Sequence, residues 1–77
     1  MNRWNPCQRS LFMRRLRALG FAGPFSGSKH QFMTYANHRQ TVPSDNEYSV
    51  PQLRMRLKQI EEIIGREITT AAQWNSL

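Results

Sequence analysis

The stretch from Ser49 to Gly65 leaves the chain the least freedom. Val50, Leu53, Leu57, Ile60 and Ile64 recur at intervals of three and four, the spacing that lines apolar side chains along one face of an α-helix. Ser49 followed three residues later by Gln52 has the form of a capping box, and Tyr48 with Leu53 stands at the positions of a hydrophobic staple. Pro51 falls in the first turn, where its missing donor is tolerated, and Gly65 can end the helix. A helix from about Val50 to Ile64 is predicted, and its apolar stripe has to be buried. A chain of 77 residues can offer only one small core for that purpose, since a chain this short buries ~60% of the surface its unfolded form exposes. The expectation is one domain over residues 1–77.

What packs against that stripe is readable on the N-terminal side. Asn5, Pro6 and Gln8 resemble a helix start, with Asn5 as the cap, Pro6 in the first position and Gln8 reaching back. A first helix is therefore expected from Pro6 to about Leu19, with Phe12, Leu16 and Leu19 toward the core and Arg9, Arg14, Arg15 and Arg17 on the remaining faces. Gly20 can adopt the left-handed conformation that lets Phe21 close onto Leu16. From Phe21 to Pro43 the pattern shortens to extended pieces, expected near Ala22–Phe25, His30–Tyr35 and Arg39–Val42, separated by turn residues. Alternation puts His30, Phe32 and Thr34 on one face of the middle strand and Gln31, Met33 and Tyr35 on the other. Thr70 with Gln73 offers a further capping box for a short terminal helix carrying Trp74. The sum is an α+β sandwich, α-β-β-β-α with a short extra C-terminal helix. Its three-stranded antiparallel sheet holds both main helices on one face, an arrangement like that of small double-stranded-RNA-binding domains.

Charge narrows the partner. Eleven Lys and Arg stand against five Asp and Glu, a formal net charge of +6 that favours a phosphate backbone or an acidic protein. Cys7 is the only cysteine, so no internal disulfide forms and a reducing cytoplasm suits the chain. No window approaches the ~18 apolar residues of a membrane span, and a soluble protein that engages no membrane is expected. The few acidic residues show no ligand spacing with a histidine, so no metal or other cofactor is expected.

Within this frame Ser26-Gly27-Ser28-Lys29-His30-Gln31-Phe32 is a flexible bend that delivers a histidine to the start of a strand. An imidazole exchanges protons near neutral pH, and beside a polyanion that points to RNA cleavage. Leu19-Gly20-Phe21, then Gly23-Pro24-Phe25-Ser26-Gly27-Ser28-Lys29-His30-Gln31-Phe32-Met33, then Thr41-Val42-Pro43 together resemble the HicA toxins of bacterial toxin-antitoxin pairs. The resemblance spans roughly Phe12 to Ile64. It implies a dsRBD-like fold, endoribonuclease action on mRNA, growth arrest when the protein is free, and neutralisation by a HicB-type antitoxin. The family's catalytic histidine corresponds to His30. Lys29 and Ser44-Asp45-Asn46 stand where many members carry further histidines.

Metal-free RNA cleavage needs a base for the ribose 2′-hydroxyl, donors for the charged phosphorane and an acid for the departing 5′-oxygen. His30 fits the first role. The backbone amides of Gly27 and Ser28 are candidates to approach a phosphate, Lys29 adds positive charge, and Phe32 is placed either to stack on a base or to fill the core. Arg14, Arg15 and Arg17 form a candidate backbone-tracking patch or else a solvated helix face, and His38 is expected in solvent. The competing expectation is a non-catalytic RNA-binding or protein-interaction module on the same scaffold.

Overall fold

The Val50–Ile64 stripe folds as its spacing demands. In a computed structural model, which describes residues 3–68 and 70–77, it forms a helix, α2 (Val50–Ile64), with Leu53, Leu57 and Ile60 buried. The predicted capping box is closed in both directions: the Gln52 amide donates to Ser49 Oγ at 3.3 Å, and the Ser49 amide donates to Gln52 Oε1 at 2.9 Å. Gly65, at φ 68°, ends the helix in the left-handed region.

The stripe lands on a sheet. β2 (Ala22–Ser26), β3 (Gln31–Tyr35) and β4 (His38–Val42) pair antiparallel in that order. Met33, Gln40 and Val42 turn inward and are buried, whereas Phe32, Arg39 and Thr41 turn outward. Met33 and Val42 share one apolar cluster with Leu53, Leu57 and Ile60 of α2 and with Phe12 and Leu16 of α1 (Arg9–Leu19). The fold is thus the expected α+β sandwich, with a short α3 (Ala71–Asn75) at its end. Each sheet face is decided by whether a helix covers it.

The first helix starts later than its residues foretell. It begins at Arg9 rather than Pro6, and Gln8 at its N-cap makes no side-chain capping bond. Asn5 instead turns back, its Nδ2 donating to the Arg3 carbonyl at 3.3 Å. The cause is a distant pairing: β1 (Cys7–Gln8) forms a two-rung antiparallel ladder with β5 (Glu47–Tyr48), and the Arg9 amide donates to the Asn46 carbonyl at 2.9 Å. This ladder buries Cys7 and Tyr48, whose burial outweighs what a local cap contributes. The far end follows expectation. The Gly20 amide donates to the Arg17 carbonyl and the Phe21 amide to the Leu16 carbonyl, both at 3.0 Å, which is a Schellman closure.

α3 is capped by Thr70 and Gln73 as expected and drives Trp74 into the core edge, 6.0 Å from the Phe12 ring centroid. Glu61 Oε1 accepts from the Ile68 amide at 2.9 Å, which seats the segment leading to it. Among the described residues no helix is long and apolar enough to cross a membrane.

Two measurements test this packing. Ala36, between β3 and β4, sits at φ 53°, a region that costs an L-residue roughly 1–2 kcal/mol and glycine little. Ala36→Gly gives part of that back to the entropy of the unfolded chain, so a net gain of up to about 1 kcal/mol is expected, read as a melting temperature higher by several degrees. Burial pushes the Cys7 thiol above its ordinary value of 9.0, with Arg15 opposing and Glu47 adding to the rise. A raised folded-state value means stability that is present below the unfolded value and lost as pH climbs through it. Stability measured by urea unfolding should therefore decline above about pH 9, and less steeply in Cys7→Ala.

Candidate functional site

The bend before β3 is a tight hairpin end. Ser26 pairs with Gln31, and the Gly27 amide donates to the His30 carbonyl at 3.1 Å, which leaves Ser28 and Lys29 as the tip. A Cβ on residue 27 would lie 2.4 Å from the His30 carbonyl oxygen, so only glycine lets the two strands approach this closely here. The geometry corrects one expectation. The Gly27 amide is engaged in holding the turn, and its contribution to a phosphate site is the space it leaves.

Gly27, Ser28, Lys29, His30, Gln31, Phe32, Arg39 and Thr41 line one open groove on the uncovered side of the sheet. His30 and Lys29 are exposed at its rim. Thr41 stands directly opposite Phe32 in the β3–β4 register, and Arg39 lies one diagonal step away with its guanidinium 4.3 Å from the Phe32 ring centroid. On the other side Phe25 pairs with Phe32, the ring centroids 5.7 Å apart and tilted by 38°. Phe32 is therefore an open-face residue, held between a second ring and a cation. An imidazole, an ammonium, a guanidinium and two rings converge on one surface. Such a set can hold phosphate oxygens, move a proton and accept a base.

Behind the groove, Arg9 fixes the start of β3 from below: its Nε donates to the Pro43 carbonyl at 3.1 Å and its Nη2 to Gln31 Oε1. Gln31 thus lines the groove while tied to the first helix.

The helix arginines do not join this site. Arg14 and Arg17 are exposed along a separate groove on α1 with Gln8, Ser10 and Leu11. Arg15 is half-buried, its guanidinium 5.2 Å from the Trp74 ring and its Nη1 donating to Asn75 Oδ1 at 3.4 Å. That contact secures α3. His38 lies at the other end of the β3–β4 ladder, paired with Tyr35, roughly 17 Å of strand rise from His30. One imidazole serves the groove. Among the described residues no three His, Cys, Asp or Glu side chains gather as a metal site.

Arg39 and Thr41 in the groove, and Phe25 beside it, are the residues that reading β3 by itself misses. The signal was present in the alternation: extending it across both hairpins puts all three on the face of Phe32.

Gly27→Ala should destabilise the fold by about 1–3 kcal/mol, because the new methyl must force the hairpin end apart. Urea unfolding reads the change, and an unaltered midpoint would contradict a closed Gly27–His30 turn. No protein-family model, curated protein or solved structure matches this chain.

Proposed function

We propose that this protein is a metal-independent endoribonuclease acting on mRNA in the cytoplasm, with His30 as its catalytic residue. The observation that carries the reading is the exposed His30 imidazole at the rim of a groove that also holds Lys29 and Arg39, on a chain of net charge +6. The resemblance of Gly23–Met33 and Thr41-Val42-Pro43 to HicA toxins supports it. On that reading the protein arrests growth when free and is silenced by a small acidic antitoxin of the HicB type.

The chemistry follows from the groups at hand. A neutral imidazole nitrogen of His30 takes the proton of a ribose 2′-hydroxyl as its oxygen forms a bond to the adjacent phosphorus. Lys29 and Arg39 hold the non-bridging oxygens while negative charge builds on them. The bond from phosphorus to the 5′-oxygen breaks, and the imidazolium returns its proton to that oxygen. The products are a 2′,3′-cyclic phosphate end and a 5′-hydroxyl end, with the histidine restored. One imidazole completes this cycle, which suits a groove that holds only His30. The second reading, a non-catalytic RNA-binding module, keeps the groove and drops the proton transfers.

His30→Ala should abolish cleavage of a labelled mRNA fragment in the presence of a chelator, while its melting temperature stays near that of the parent. Undiminished cleavage by the variant would remove His30 from the mechanism. RNA retarded in a gel but left intact by the parent protein would favour the binding module. Cleavage should also fall steeply between about 50 and 200 mM salt, as phosphate contacts release counterions.

A further inference from the structure

We infer that Phe25, Phe32 and Arg39 form a base-stacking platform beside His30, so that the groove takes unpaired RNA rather than a duplex. The inference rests on the reading of this groove as an RNA site and adds the class of RNA.

Phe25 is the largest apolar side chain left open on the sheet, at 44% exposed, with Phe32 at its side and Gly23 close beneath its ring. A lone exposed ring is ordinary on a protein surface, but here Phe25, the Phe32 ring and the Arg39 guanidinium lie side by side on one open face. Arg39 adds a flat cationic surface at 4.3 Å from the Phe32 ring. A guanidinium plane over an aromatic ring is itself a surface on which a nucleobase stacks. The platform runs across the sheet from β2 through β3 to β4, and His30 lies in the turn two residues before Phe32, lining the same groove. A nucleotide whose phosphate is held at His30 and Lys29 would thus lay its neighbouring base on the platform.

Charge complementarity selects the occupant. The rings are flanked by Lys29 and Arg39, and no acidic residue lines the groove. A polyanion with exposed π-faces meets both demands. An RNA duplex meets only the first, since its bases are stacked on each other and its accessible minor groove shows hydroxyls and base edges. Despite a scaffold that resembles duplex-binding domains, the open face is furnished for single strands.

The test uses the full chain carrying His30→Ala, so that RNA survives the measurement. Fluorescence anisotropy compares a labelled single-stranded oligoribonucleotide with the same sequence in a blunt duplex at one salt concentration. The single strand should bind at least about tenfold more tightly. Adding Phe25→Ala should weaken single-strand binding by roughly 5- to 150-fold, the range found for losing one base–aromatic stack, and leave the duplex unchanged. Arg39→Lys keeps the charge and removes the plane. It should weaken single-strand binding severalfold without altering its dependence on salt.

Equal affinity for both RNAs would overturn the platform, as would a Phe25→Ala variant that binds the single strand like its parent. Either result stands against it even if Phe25→Ala loses an acidic protein partner, which would assign the rings to that partner. Failure of the catalytic reading looks different: His30→Ala would still cut.

Discussion

A three-stranded sheet has two faces, and this chain has apolar side chains enough to cover one. Phe12 and Leu16 of the first helix and Leu53, Leu57 and Ile60 of the second are all committed to the face bearing Met33 and Val42. Gln40 shares that face, and its amide is satisfied by donating to the Thr41 carbonyl at 3.1 Å and to Gln59 Oε1 at 3.3 Å. Nothing comparable remains to roof Phe25, Phe32, Arg39 and Thr41. The open face is thus a direct outcome of limited chain length, and it is where the groove had to form.

The same economy divides the cations into two populations. Arg9 is bonded to Pro43 and Gln31, Arg15 is stacked on Trp74, and Arg54 lies 5.2 Å from the Trp4 ring centroid. Their charges reinforce packing. Lys29 and Arg39 face the groove, while Arg14 and Arg17 face solvent along the first helix. A net charge of +6 describes the whole chain's attraction to a polyanion, whereas the groove itself offers one only Lys29 and Arg39.

Most of the fold was legible in the sequence because its signals were local. The capping boxes at Ser49 and Thr70, the glycine stops at Gly20 and Gly65 and the stripe of the second helix each depend on residues within a few positions. The start of the first helix was not legible, because Cys7 and Gln8 obey a strand forty residues away rather than the Asn5-Pro6 signal beside them. The site was half legible for the same reason. His30, Lys29 and Phe32 follow one another along the chain, whereas Arg39 and Thr41 reach the groove, and Phe25 reaches its edge at Phe32, through cross-strand register. Arg14, Arg15 and Arg17 show the converse: a run of like charge on one helix that the fold distributes to different surroundings.

The ladder between Cys7–Gln8 and Glu47–Tyr48 fastens the chain just before each main helix begins. Seen from that fastening, β2, β3 and β4 are an excursion that leaves one helix and returns to the threshold of the other. Ser28–Lys29 is the tip of the first of its two hairpins. Its residues could be rewritten to change what is gripped, while the two halves of the polypeptide stay stitched at their seam.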